Sequence, residues 1–115
     1  MITKDMKILC ICRGGQVRSV AARHLLADRY GFRKVIACGW EKNDEETVST
    51  LCNWADAILV VGSASTWKLN TPTNKTHLLD IGVDRWGHYG HQDLLSILTP
   101  LVERLLTQEP TGGVQ

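Results

Sequence analysis

Residues 8–26 read Ile-Leu-Cys-Ile-Cys-Arg-Gly-Gly-Gln-Val-Arg-Ser-Val-Ala-Ala-Arg-His-Leu-Leu, which is an apolar strand, a short loop and a helix in direct succession. The loop has the spacing Cys-x5-Arg, from Cys12 to Arg18, and Ser19 follows. Backbone N–H groups at the start of a helix form a cradle for an anion, and the helix dipole adds positive potential. This field favours a Cys12 thiolate, and the planar fork of Arg18 can hold two phosphoryl oxygens. The stretch predicts an oxyanion-binding loop with a nucleophile; a structural turn with an inert cysteine is the alternative.

The rest of the chain continues the alternation of strand and helix. Apolar runs predict strands over 7–11, 34–38, 57–61 and 76–81, and other patterns predict helices over 19–29, 43–53, 65–69 and 92–107. Such alternation is typical of a parallel sheet with helices on both faces. Pro100 should kink or split the last helix. Because ligands bind beyond the carboxyl ends of parallel strands, the loops after the other strands should surround the Cys12 loop.

Composition limits the classes of protein to consider. The 115 residues predict one domain, 1–108, followed by a flexible tail, 109–115. Thirteen basic and twelve acidic side chains give a net charge of +1, so we expect no nucleic acid and no membrane as a partner. The start lacks the apolar core of a signal peptide, and the four cysteines show no paired spacing, which favours a cytoplasmic protein with reduced thiols.

Several motifs occur together along the chain: Lys-Ile-Leu-Cys-Ile-Cys at 7–12, Arg-Ser before an alanine-rich helix, Ala-Cys-Gly at 37–39, Trp-Ala-Asp-Ala-Ile-Leu-Val at 54–60 and Leu-Asp-Ile at 79–81. In these motifs the chain resembles the low-molecular-weight protein tyrosine phosphatases, especially their short bacterial and phage-type relatives. The resemblance implies a single three-layer α/β/α domain with a four-stranded parallel sheet in the order 2-1-3-4. It also implies a phosphatase that hydrolyses a phosphorylated protein or a small phosphate ester through a phosphocysteine on Cys12, without metal or cofactor. Arg18 would bind the phosphoryl group, and Ser19 would support the sulfur.

The chain departs from this family at two points. Gly15 occupies the fourth loop position, where many relatives have a bracing asparagine, and the late Asp-Pro general-acid motif is missing. A general acid must reach the leaving oxygen from a flexible loop beyond a strand. Asp84, three residues beyond the fourth strand, is therefore predicted as the acid, and Asp80 and Asp93 are the alternatives.

The remaining candidate substrate-binding residues lie in the loop and at two tryptophans. Backbone groups of the loop should face the phosphate, and its glycines should allow positive φ and close approach; these residues are Arg13, Gly14, Gly15, Gln16 and Val17. Trp40 and Trp86 should either wall the pocket or pack within their loops. His88 and His91 are expected in solvent rather than at a metal.

Two other functions remain open on the sequence. One is a non-catalytic module that binds phosphate or phosphoprotein. The other is an arsenate reductase-like thiol oxidoreductase, although Cys38 and Cys52 come earlier than the usual resolving cysteines. A related hypothesis is a reversible disulfide between Cys12 and Cys38 under peroxide, with an inert Cys38 as the alternative.

Overall fold

A four-stranded parallel sheet forms the centre of the computed structural model, which describes residues 2–14, 17–41, 43–63, 74–82 and 86–107. The strand order is β2-β1-β3-β4. The strands are β1 (Lys7–Cys12), β2 (Lys34–Gly39), β3 (Ala57–Gly62) and β4 (Thr76–Asp80). The predicted parallel sheet and its order are therefore confirmed.

Within the described residues, three helices cover the two faces of the sheet. They are α1 (Arg18–His24), α2 (Glu45–Trp54) and α3 (Gln92–Leu106). Alternate residues of β1 face opposite ways: Ile8 and Cys10 join the core under α1 and α3, whereas Leu9 and Ile11 join the core under α2. Burying one such large apolar side chain stabilises the fold by about 1.5–3 kcal/mol. Since both faces are covered, the central strands are continuous apolar runs.

The carboxyl ends of the strands meet at one edge. Cys12 is paired with Gly39 across β1 and β2, and Gly62 is paired with Asp80 across β3 and β4. The thiol, two glycines and a carboxylate thus lie at the end of the sheet from which the Cys12 loop departs. This is the edge where the sequence predicts a ligand site.

The first helix continues beyond its regular α-helical part. A π-helical segment, Leu25–Arg29, follows α1, and Gly31 then adopts a φ of +77°, a conformation that favours glycine. The apolar face of this helix is buried, by Ala21, Ala22, Leu25 and Leu26. The predicted range, 19–29, is therefore helical throughout, with a change of helix type inside it.

The start of α2 is held by the side chains of two neighbouring residues, Asn43 and Asp44. The Asp44 carboxylate accepts the Thr47 N–H at 2.7 Å, and this bond lowers the pKa of Asp44. Asn43 instead donates its side-chain N–H to the Gly39 carbonyl at 2.9 Å. Asp44 therefore caps the helix, and Asn43 fastens the turn that follows β2.

Of the kink or split predicted at Pro100, the split does not occur. The helix α3 runs through Pro100 without interruption. Its apolar face is buried on both sides of the proline, by Leu94, Leu98, Val102 and Leu105. Packing of both halves on the same core keeps the helix continuous despite the backbone N–H that proline lacks.

Other sequence-based predictions fall outside the described residues. They are the short helix at 65–69, most of the loop that follows it and the tail at 109–115. Within the part of the chain that is described, no helix is long and apolar enough to cross a membrane.

Candidate active site

Cys12 ends β1 with its thiol at the start of α1. The residue is only 2% exposed, and its Sγ lies 3.2 Å from Ser19 Oγ. The Ser19 backbone N–H also donates to this sulfur, at 3.4 Å. The strand extends one residue beyond its predicted end because the Cys12 carbonyl accepts the Trp40 N–H at 3.1 Å. The thiol donates to the Ser19 hydroxyl, and the Ser19 N–H donates to the sulfur. If Cys12 loses its proton, the hydroxyl is close enough to donate to the thiolate as well.

Arg18, the first residue of α1, is a buried cation. It is 4% exposed, and its Nη1 donates to the Gly82 carbonyl at 3.3 Å. Its Nε is buried and has no hydrogen-bond partner among the described residues. Among the residues that the structure describes, no carboxylate forms an ion pair with this guanidinium. A buried cation without a counter-charge is costly, so the arrangement suits an anionic ligand.

Gly62 gives the Arg18 side chain the space that it occupies. A Cβ at residue 62 would lie 2.7 Å from Arg18 Nη1, closer than a Cβ atom approaches another heavy atom. With any other residue at position 62, the end of the Arg18 side chain would have to shift from the place that it occupies over β3. The sequence analysis did not single out Gly62, because a contact between residues 44 positions apart leaves no signal in the local sequence.

The loop itself is described at its two ends. Gly15 and Gln16 lie outside the described residues. The expectation of positive φ at Gly14 is wrong, since the glycines with positive φ in the described chain are Gly31, Gly62, Gly82 and Gly87. A Cβ on Gly14 would meet nothing within 4 Å, so protein contacts do not require glycine there. Val17 is partly buried against the core under α1 and α3.

Arg13 uses its side chain outside the cradle. Its Nε lies 2.6 Å from Glu41 Oε2, and both side chains are about half exposed. The Glu41 N–H donates to the Arg13 carbonyl at 3.0 Å. Glu41, which the sequence did not single out, thus ties the loop after β2 to the first residues of the Cys12 loop. Any contact of Arg13 with an anion in the cradle is left to its backbone.

The two candidate tryptophans have different environments. Trp86 is 7% exposed and belongs to the core under α1 and α3, which matches the loop-packing alternative. Trp40 is half-buried and packs against the core under α2. Of the two, only Trp40 directly follows the strand that pairs with Cys12.

The candidate general acids are distributed as follows. Asp84 lies outside the described residues. Asp80 is exposed at the end of β4, and its Oδ1 accepts the Gly82 N–H at 3.4 Å. Asp93 lies in the first turn of α3, whose cap is His91, with Nδ1 accepting the Asp93 N–H at 3.1 Å. His91 has a capping role that the sequence analysis did not foresee.

Cys38 lies on the other face of the sheet from the candidate nucleophile. It belongs to the core under α2, whereas the Cys12 sulfur contacts Ser19 of α1. Burial raises the pKa of Cys38 to about 11, so the thiol stays protonated at neutral pH. The strands are neighbours as predicted, but the geometry does not favour a direct disulfide between these residues.

No metal site is found within the described ranges, where His, Cys, Asp and Glu side chains form no group of three or more that could hold an ion. His88 and His91 are exposed, as predicted. His88 stacks on Tyr89 with ring centroids 4.5 Å apart, and His24 stacks on the same tyrosine at 4.7 Å.

Comparison with known proteins gives limited similarity. No family model matches the chain, and no solved structure matches it significantly. The chain is similar to two proteins described as probable glutamine-hydrolysing GMP synthases, from two strains of Leptospira interrogans. Identity is 34% over 104 residues, which is 90% of this chain and 16% of each synthase. The chain therefore spans about a sixth of the length of the curated relatives that it matches.

Proposed function

We propose that this protein is a cysteine-dependent phosphomonoester hydrolase of the low-molecular-weight tyrosine phosphatase type. The observation that carries the proposal is the buried Arg18 guanidinium, whose Nε has no hydrogen-bond partner and which has no carboxylate beside it in the described part of the chain. An anion with several oxygens can balance the positive charge of Arg18 and accept a hydrogen bond from its Nε–H. The neighbouring contact of Ser19 with the Cys12 sulfur adds a nucleophile to this anion site.

In the first step the Cys12 thiolate attacks phosphorus in line with the leaving oxygen. A sulfur–phosphorus bond forms as the phosphorus–oxygen ester bond breaks, and a carboxylic acid protonates the leaving oxygen. Asp84 is the proposed acid. Arg18 and the loop amides stabilise the charge on the equatorial oxygens.

In the second step water hydrolyses the phosphocysteine. The carboxylate formed in the first step takes a proton from water, whose oxygen bonds to phosphorus. The sulfur–phosphorus bond breaks, inorganic phosphate leaves, and the thiolate returns. The Ser19 N–H donates to the sulfur, and the Ser19 hydroxyl, which accepts from the thiol, can donate once the thiol has lost its proton. Ser19 thus stabilises Cys12 both as nucleophile and as leaving group.

The contacts to sulfur favour catalysis over simple phosphate binding. A non-catalytic module needs the cradle and Arg18 but has no use for a serine whose hydroxyl and N–H both contact the Cys12 sulfur. An arsenate reductase-like reaction needs a second thiol, and Cys38 lies across the sheet.

The test is turnover of an aryl phosphate together with detection of the intermediate. Wild-type protein should release phosphate, and acid quenching should trap a phosphate adduct on Cys12, identified by mass spectrometry. Cys12→Ser should abolish turnover and still bind inorganic phosphate or vanadate. Cys52→Ala, a control on the α2 side of the sheet, should keep activity. Wild-type protein that binds phosphate but releases none would favour the binding module, and Cys12→Ser protein with the wild-type rate would exclude a covalent mechanism.

The similarity to GMP synthases adds a candidate substrate. GMP, which their name mentions, is itself a phosphomonoester. A substrate panel should therefore compare GMP with a phosphotyrosine peptide and a sugar phosphate at equal concentration. A preference in kcat/KM for GMP would favour a nucleotide substrate, and a preference for the peptide would favour a phosphoprotein.

A further inference from the structure

Gly82 connects Asp80 to Arg18. Its N–H is accepted by Asp80 Oδ1 at 3.4 Å, and its carbonyl accepts Arg18 Nη1 at 3.3 Å. Gly82 has a φ of +81°, in the left-handed region that favours glycine. An aspartate whose side chain accepts the N–H two residues on is a common way to hold such a turn. The direction of the Gly82 carbonyl therefore depends on a bond that Asp80 makes.

The neighbouring strand fixes the other side of this turn. Gly62 is paired with Asp80, and the Gly62 carbonyl accepts the Ile81 N–H at 3.0 Å. Ile81 is itself buried in the core under α1 and α3. The Arg18 guanidinium thus lies between a rigid strand end at Gly62 and a carbonyl at Gly82.

We propose that Asp80 is a positioning residue for Arg18 that acts through the Gly82 turn, and that it is not the general acid. This proposal rests on the proposed function, since Arg18 is its phosphate-binding residue. Asp80 is exposed, and the bond to Gly82 uses only one oxygen as an acceptor. An asparagine in its place supplies the same acceptor, whereas an alanine does not.

The effect of this positioning is on binding of the phosphoryl group. When the turn loosens, the Gly82 carbonyl no longer orients Nη1, and the guanidinium meets the phosphate oxygens less favourably. Affinity for inorganic phosphate falls, and the loss is the same for good and poor leaving groups. A general acid behaves differently, because its loss is largest for poor leaving groups.

The experiment compares Asp80→Asn with Asp80→Ala. Both substitutions remove the charge, and only Asn keeps the acceptor, so their difference isolates the bond to Gly82. Asp80→Ala should weaken binding of inorganic phosphate by about 3- to 10-fold, the size of one neutral hydrogen bond, whereas Asp80→Asn should stay within about twofold of wild type.

The matched control is Asp56, which lies at the amino ends of the strands, opposite the carboxyl ends where Asp80 lies. Its carboxylate accepts the Lys7 N–H at 2.9 Å, so it makes the same kind of bond far from Arg18. Asp56→Ala and Asp56→Asn should leave phosphate affinity unchanged, whatever their effect on the melting temperature.

A second readout does not need phosphate to bind. The Arg18 Nε–H gives a side-chain NMR signal, which Arg18→Lys assigns by its loss. In Asp80→Ala this signal should shift and its hydrogen should exchange faster with water, while in Asp80→Asn it should match wild type. If wild-type protein does not bind phosphate, the proposed function is wrong. The NMR comparison would still decide whether Asp80 positions Arg18.

Two results overturn the inference. One is an Asp80→Ala protein with wild-type phosphate affinity and a wild-type Arg18 signal. The other is an equal loss in Asp80→Asn and Asp80→Ala that grows as the leaving group becomes poorer, which would make Asp80 the acid.

Discussion

The Arg18 guanidinium lies against Gly62 so closely that a Cβ on residue 62 would be 2.7 Å from Nη1. The two residues are 44 positions apart and belong to α1 and β3. This contact and the bond to the Gly82 carbonyl hold the guanidinium at the carboxyl edge of the sheet. The affinity of the site for phosphate should therefore depend on a glycine that makes no contact through a side chain of its own.

Gly62→Ala should weaken phosphate binding by about 10-fold or more. Overpacking of a tight site costs about 1–3 kcal/mol, and here the added methyl group displaces the side chain that binds the ligand. Isothermal titration with inorganic phosphate measures the loss. Gly31→Ala is the control, because its φ of +77° makes alanine strained at a position away from Arg18. Equal phosphate affinity in wild type and Gly62→Ala would contradict this prediction, because it would show that the Arg18 side chain can move without weakening phosphate binding.

Arg18→Lys should lower kcat/KM for an aryl phosphate by about 10²–10³-fold, the cost of losing a donor to transition-state charge. Lysine keeps the positive charge but lacks the planar fork. Arg23→Lys is the matched control on the same helix, since Arg23 donates its Nε–H to the Val35 carbonyl at 3.2 Å. Near-normal activity of Arg18→Lys would count against two-oxygen binding by the guanidinium.

The fold could be predicted from the sequence to within a residue or so at the strand ends. Strands covered on both faces are continuous apolar runs, and such runs are visible without any partner. Strands β1, β2 and β3 each extend one residue beyond the predicted end, to Cys12, Gly39 and Gly62. The first two are paired with each other, and Gly62 is paired with Asp80. Such pairing depends on neighbouring strands rather than on hydropathy.

The candidate site could be predicted only in part. Cys12, Arg18 and Ser19 are close in sequence, so their proximity follows from a strand, a loop and a helix in succession. The surroundings of Arg18 come from Gly62 and Gly82, which belong to distant strand ends. The continuity of α3 through Pro100 was missed for the same reason, because packing of Leu98 and Val102 outweighs a local helix breaker.

Cys38 should remain a thiol when Cys12 is oxidised. Burial raises the pKa of Cys38 to about 11, and the residue lies on the α2 side of the sheet. Mild peroxide followed by mass spectrometry should give sulfenic or sulfinic acid on Cys12 and no Cys12–Cys38 disulfide. A Cys12–Cys38 disulfide that forms faster than Cys12 is overoxidised would contradict this prediction and would support redox control of Cys12 by Cys38.

The raised pKa of Cys38 also predicts that the stability of the protein falls at alkaline pH. The folded-state pKa of Cys38, about 11, is above the 9.0 of an unperturbed thiol, so the folded state holds its proton more tightly. Its contribution to stability is present below pH 9 and is lost as the pH rises toward 11. Urea unfolding at pH 8 and pH 10.5 should show a smaller fall for Cys38→Ala than for wild type. An equal fall in both proteins would place the alkaline sensitivity elsewhere.

Asp84→Asn should slow the release of poor leaving groups by about 10²–10⁴-fold, the usual contribution of a general acid. Good leaving groups such as nitrophenolate need little protonation, so their rates should change much less. Asp80→Asn is the natural comparison, because it keeps the acceptor for the Gly82 N–H and should show no dependence on the leaving group. The measurement is kcat/KM over a series of aryl and alkyl phosphates with leaving groups of increasing basicity. If the steep dependence follows Asp80→Asn instead, the acid is Asp80. If neither variant shows it, the proton comes from Asp93 or from water.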